Sequence, residues 1–267
     1  MGVGCFMGAI WKTSKAVCFA VMVTLLPAVA LASGGSKRSH AVSELQPLAA
    51  GITLPVQVGR TLRAGKVKPG TAFVVTTTQR VPISEDSYLN RGAKVRGEVA
   101  TSDAGDGTAL HPSVLAIRFT QLSYRGKTVP VETRAIAVAS FMRVGDTHIP
   151  TTGGPDRGNA SEASWNTKQV GGDEVNRSGW VGVVSDSTMQ VVGSADYWGV
   201  YSLPVNLDGA MVPRAMGVFS TTAKGLYGYD EGAQLESSGG LITITTPQKL
   251  AVIRNHDQLL LEVVGSR

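Results

Sequence analysis

Seven aromatic side chains, Trp180, Tyr197, Trp198, Tyr201, Phe219, Tyr227 and Tyr229, fall within fifty residues of a 267-residue chain. Four carboxylates, Asp196, Asp208, Asp230 and Glu231, lie close by in sequence. Flat aromatic faces stack on a pyranose ring, and carboxylates accept its hydroxyl hydrogens, so this constellation points to carbohydrate binding. The competing role for the same side chains is to fill a sheet core or to pair across strands. Two acids that flank a glycosidic bond would add hydrolysis, but no spacing here singles out a pair. The binding candidates on this side are Trp180, Tyr197, Trp198, Tyr201, Tyr227 and Tyr229.

A second constellation is basic. In LNRGAKVRGEVA, residues 89–100, Arg91 is followed by Lys94, Arg96 and Glu98 at two-residue intervals, with Ala93, Val95, Gly97 and Val99 between them. Strict alternation is the signature of a half-buried antiparallel strand, the apolar set inward and the charges in water. The alternative use of Arg91, Lys94 and Arg96 is contact with a polyanion. Charge is unevenly spread along the chain. Residues 49–145 carry 13 bases and 6 acids, whereas residues 146–267 carry 8 bases and 13 acids. Such halves attract each other or face different partners.

Signatures of catalysis and of metal binding are weak. No serine sits in a G-x-S-x-G elbow, although a triad assembles in space and leaves no fixed order in sequence. Beyond the N-terminal segment the histidines are His40, His111, His148 and His256. Asp146 and His148 have the i,i+2 spacing of one strand face, but one pair supplies too few ligands for zinc. The stretch Asp103-Ala104-Gly105-Asp106-Gly107 invites a calcium reading, yet the third position is glycine and the twelfth is Val114, so a turn explains it as well. No metal site and no cofactor is expected.

The elements that would position these residues are strands. Runs rich in Val, Ile, Thr and Phe cover 52–58, 72–78, 93–101, 114–124 and 128–141, punctuated by Pro69-Gly70, 103–107 and Arg125-Gly126. Shorter strand signals follow at 180–184, 189–192, 199–203 and 216–221. Residues 241–246, 250–254 and 258–264 suggest a three-stranded C-terminal meander. Residues 146–163 lack periodicity and read as a linker or long loop. The fold class expected is all-β: an antiparallel barrel or sandwich over 51–145, a second β-rich region over 164–267, and the terminal meander.

The first 32 residues have a different character. Lys12 and Lys15 precede an apolar run that ends in Ala30-Leu31-Ala32, the anatomy of a secretory signal peptide; the alternative is a retained membrane anchor. Both cysteines, Cys5 and Cys18, lie in this segment, so a cleaved chain would contain neither disulfides nor a thiol nucleophile. Residues 33–50 read as a polar linker. Export places the protein in the periplasm or outside the cell, or on the inner membrane if the leader stays.

Residues 50–140 also carry a family pattern: Leu54-Pro55, then Arg91-Gly92 through Gly97, then Phe119, Leu122, Gly126, Val129 and Val131 in that order. This resembles the β-barrel domain of the periplasmic scaffold protein of conjugative type IV secretion channels. The resemblance implies a barrel-like scaffold in the bacterial envelope. It does not extend to that family's long Pro-rich segment or its apolar helical hairpin. The first expectation is therefore an exported, non-enzymatic cell-envelope scaffold or assembly module. A carbohydrate- or envelope-polymer-binding module is the alternative, and a hydrolase with a spatially assembled site comes third. Envelope proteins or anionic envelope polymers are the expected partners; nucleic acid is not.

Overall fold

The computed structural model describes residues 47–153 and 164–264. The leader, most of the 33–50 linker and residues 154–163 of the 146–163 loop lie outside the described residues. The first nine strands are β1 (Thr53–Val58), β2 (Leu62–Arg63), β3 (Ala72–Thr77), β4 (Val81–Pro82), β5 (Tyr88–Leu89), β6 (Lys94–Asp103), β7 (Ser113–Tyr124), β8 (Lys127–Pro130) and β9 (Thr133–Ala139). A short helix, α1 (Phe141–Asp146), follows. Then come β10 (Pro150–Gly153), β11 (Ser164–Lys168), β12 (Glu174–Ser178), β13 (Val181–Ser185), β14 (Val191–Asp196), β15 (Gly199–Leu207) and β16 (Ala210–Ala215). The chain ends with β17 (Gly225–Tyr227), β18 (Gln234–Ser238), β19 (Leu241–Thr246), β20 (Val252–Ile253) and β21 (Gln258–Val263).

The molecule is all-β, as expected. Its larger sheet runs β17-β9-β21-β1-β3-β6-β7-β19-β18, with β8 paired to β7, and curls into a nearly closed barrel. At the seam, the Ser237 hydroxyl on β18 accepts from the Ala135 amide at 3.0 Å and donates to the Ala135 carbonyl at 3.3 Å. The smaller sheet is a seven-stranded antiparallel meander, β10 to β16 in chain order.

The comb of residues 93–99 has the register its alternation implies. Ala93, Val95, Gly97 and Val99 are buried, and Lys94 and Arg96 are exposed. Gly97 is where the barrel wall most needs glycine. A Cβ there would come within 2.6 Å of the Phe73 ring and 3.0 Å of Phe119, which pack edge to face with centroids 5.6 Å apart. The turn at Arg125-Gly126 is likewise present, with φ of 50° and 77°. Two positive φ values in a two-residue loop make a type I′ turn, whose twist suits a tight hairpin.

The terminal meander requires correction. Strands do form near 241–246, 252–253 and 258–263, but they do not pair with one another. β19 pairs with β7, β20 with β2, and β21 with β1 and β9. Residues 225–263 thus complete the barrel sheet, and the second β region ends as a sheet at Ala215. The run 128–141 is also not one strand: it breaks after Pro130, resumes at Thr133, and gives way to α1.

Burial explains the join between the sheets. Leu259 and Leu261 point into the barrel with Leu54, Val56, Ile117 and Ile244. Leu260, Ala137 and Ala139 point outward, into a second core with Val175, Val184, Ala195 and Phe219 beneath the meander. A strand covered on both faces reads as an unbroken apolar run, and Leu259-Leu260-Leu261 is such a run. Asp257, just before β21, is fully buried. One carboxylate oxygen accepts from the Phe141 amide at 2.8 Å; the other accepts from the Arg254 amide at 2.7 Å and the Tyr229 hydroxyl at 3.0 Å. It ties α1, the 254–257 turn and the 229 loop to one point.

Candidate functional site

A cleft of about 470 Å³ opens where one end of the meander meets the barrel. The meander builds its aromatic wall from two adjacent hairpin turns. Gly179-Trp180 joins β12 to β13, where Ser178 faces Val181, and Tyr197-Trp198 joins β14 to β15, where Asp196 faces Gly199. The second turn is fixed by Asp196, whose Oδ1 accepts from the Trp198 amide at 2.7 Å and the Gly199 amide at 3.0 Å. Trp180 and Tyr197 stack across the two turns with centroids 5.4 Å apart and planes 20° from parallel. Trp180, Tyr197 and Trp198 remain 47%, 68% and 57% exposed. Exposed aromatics held on short, tied turns are unlike core aromatics, because packing does not account for their position.

The barrel holds this wall in place. Gln79, just after β3, is buried; its Nε2 donates to the Val200 carbonyl at 2.9 Å and its Oε1 accepts from the Gly217 amide at 2.7 Å. Gly199 leaves room for that side chain: a Cβ there would lie 2.5 Å from the Gln79 amide carbon. The Arg80 guanidinium sits 3.8 Å from the Tyr88 ring centroid and 5.4 Å from that of Trp198, a cation–π contact behind the second turn.

The inner face of the meander extends the site inward. Register aligns Trp165, Arg177, Gly182, Ala195 and Val200 in one row across five strands. Trp165 and Arg177 line the cleft at one end of the row and Val200 at the other. The Arg177 guanidinium donates to the backbone carbonyl of Trp180 at 3.2 Å. Burial pulls its pKa below the ordinary arginine value, and nearby Asp196 offsets part of that shift. Arg91 and Lys168 also line the cleft, and neither has a hydrogen bond or ion pair among the described residues.

Two glutamines on the cleft lining stand apart. Gln169 is 7% exposed and Gln258 is 6% exposed. Among the described residues, neither amide atom of Gln169 has a hydrogen-bond partner, nor does Oε1 of Gln258. A buried polar atom without a partner costs about 1–3 kcal/mol. Both residues line the cleft, and their orphaned amide atoms call for partners that the described residues do not supply.

The sequence candidates separate into two groups. Trp180, Tyr197, Trp198 and Arg91 come together in this cleft. Tyr201 is buried in the barrel-side core. Tyr227 packs against the second core, and its hydroxyl accepts from the Lys224 amide at 3.1 Å. Tyr229 donates to Asp257; burial, then the Asp257 charge, pushes its hydroxyl pKa up. Lys94 and Arg96 lie on the exposed face of β6 and do not line the cleft. Of the described histidines, His148 is on the cleft lining, His111 pairs with Asp106 at 3.3 Å, and His256 bonds Gln57 at 2.7 Å. Asp146, expected to share a strand face with His148, ends α1 and pairs with Arg143 at 3.5 Å.

Sequence reasoning missed Trp165, Arg177, Gln169 and Gln258. Only Trp165 carried a usable signal, as a fourth tryptophan fifteen residues before Trp180. The others matter because of where the two sheets meet. No family model, curated protein or solved structure matches the chain.

Proposed function

We propose that the protein is a non-catalytic binding module whose cleft takes a saccharide chain. One observation carries this reading: Trp165, Trp180, Tyr197 and Trp198 line one cleft together with two buried glutamines. Stacking on sugar faces uses the aromatic rings, and amides answer hydroxyls, which both donate and accept. Ligand sites of this kind combine apolar and aromatic walls with a few placed polar groups. The test is binding of the purified protein to a panel of oligosaccharides by calorimetry. Trp198→Ala should lower affinity by roughly tenfold or more, on the scale of a lost anchor residue, with the thermal transition retained. Absence of binding to every oligosaccharide would overturn the reading.

The barrel-like sheet favours a second reading, the exported envelope scaffold implied by the resemblance of residues 50–140. Recovery of the same envelope proteins with wild type and with Trp198→Ala would support assembly independent of the cleft. The two readings are compatible, since a scaffold can be tethered through a glycan.

A further inference from the structure

Resting on the saccharide reading, we infer that the sugar is acidic: the cleft is built for a glycan that carries a carboxylate or phosphate. Three cations line it, Arg91, Lys168 and Arg177, and they come from three separate places, the loop before β6, the end of β11 and the second half of β12. None is in an ion pair among the described residues, whereas Arg134 and Arg214 both pair with Glu262. Among the described residues the one carboxylate on the lining is Asp196, and its Oδ1 is already committed to two backbone amides of its own turn.

Arg177 is the innermost of the three. It is half-buried and donates through Nη1 to two backbone carbonyls, Trp180 at 3.2 Å and Asp196 at 3.5 Å. Burial lowers its pKa, and the charge of nearby Asp196 offsets only part of that shift, so the half-buried guanidinium is under-compensated. An anion between Arg177 and the outer pair would supply that compensation through charge-assisted hydrogen bonds. The glutamines make the site more than a charged patch. Gln169 and Gln258 are more than nine-tenths buried, line the same cleft and have amide atoms without partners. Ring faces would stack on the aromatics and an acidic substituent would sit among the cations.

The experiment compares three probes by calorimetry: a galacturonate oligomer, the same oligomer fully methyl-esterified, and a phosphorylated mannose oligomer. The ester keeps the rings and most hydroxyls and loses the charge. The expected result is that the galacturonate or the phosphorylated oligomer binds at least roughly tenfold more tightly than the ester. That advantage should shrink as salt is raised. Which charged probe leads assigns the anion to carboxylate or phosphate. Arg91→Gln with Lys168→Gln, both at exposed positions, should reduce the charged probe to the affinity of the ester. Equal binding of charged and esterified oligomers would overturn the inference and leave the saccharide reading standing. Binding by none of the three, with neutral oligosaccharides of the wider panel also inert, would overturn both.

Discussion

The barrel and the meander use the same strand chemistry to opposite ends. In the barrel, alternation sends Val75, Val95, Phe73 and Phe119 inward, where their surfaces are covered and nothing polar is asked of them. At the cleft end of the meander, one row instead carries Trp165 and Arg177 beside Gly182 and Ala195. The barrel strands fill a core of their own, whereas the cleft draws on both sheets, with Arg91 and Gln258 from the barrel side and Trp165, Arg177 and the turn aromatics from the meander. The lesson is one of satisfaction. Packing accounts for Gly97 and Leu260, whereas nothing within the fold accounts for the glutamine amides or for the exposed ring stack of Trp180 on Tyr197.

The comparison breaks most forcefully at Gly97. In Gly97→Val the new side chain must displace the Phe73–Phe119 pair or push the wall away from the Arg118 carbonyl, 3.0 Å from the would-be Cβ. Overpacking of this kind costs roughly 1–3 kcal/mol or more. Urea unfolding should show that loss, and wild-type stability would overturn the assigned packing. Where folded protein remains, the cleft should bind as before, because Gly97 does not line it.

The next effect is at Gly199, the point where barrel and meander meet. Its φ of 152° and the nearness of Gln79 both disfavour a side chain. Gly199→Ala should cost about 1–2 kcal/mol, in the range for a substitution where a side chain strains the backbone. It should also weaken oligosaccharide binding, since the turn that bears Tyr197 and Trp198 must shift. Gln79→Ala should reproduce the binding loss without the backbone strain. Intact binding in both variants would show that the barrel does not hold the aromatic wall.

How much of this was legible in the sequence follows the same division. The all-β class, the register of residues 93–99 and the Arg125-Gly126 turn were readable, because each depends on local period or on the φ preference of one or two residues. Half of the proposed aromatic candidates, Trp180, Tyr197 and Trp198, did gather in the cleft, since neighbouring turns of a meander bring together residues close in sequence. The rest depended on long-range pairing. The β7–β19 and β1–β21 ladders join residues far apart in the chain, and short-range pattern favours the simpler meander that does not form. Gln169 and Gln258 are 89 residues apart and unremarkable by type. Tyr201 and Tyr229 had the composition of a binding surface and the environment of a core.

A smaller effect concerns Asp257, which joins the two regions beneath α1. Burial raises its pKa above the ordinary carboxylate value, while amide donation from Arg254 and Phe141 and the Tyr229 hydroxyl pull the other way. A carboxyl raised in the fold binds more protons folded than unfolded between the ordinary value and the raised one. Stability therefore increases as pH falls through that window and is lost as pH rises through the folded pKa. Measured against Asp257→Asn, which does not titrate there, the wild type should gain stability on acidification from neutral toward the ordinary carboxylate value. A relative loss over that range would mean that the three hydrogen bonds outweigh the burial.

The smallest effect sharpens the comparison from the barrel side. Lys94 and Arg96 were candidates for an anion grip alongside Arg91, yet they point to water from β6 while Arg91 lines the cleft. Neither has an ion pair among the described residues. The double substitution Lys94→Ala with Arg96→Ala should change stability by no more than about 0.5 kcal/mol, the usual result for an exposed charge outside a special environment. It should also leave acidic-oligosaccharide affinity within about twofold, because charges that remain in water are screened over about 8–10 Å in ordinary buffers. Arg91→Ala, only three residues away, should lower that affinity. Sequence proximity puts all three in one basic comb, and strand geometry assigns them to different faces. A loss in the double variant as large as that in Arg91→Ala would relocate the anion site to the outer wall of the barrel and leave the meander cleft without its charge.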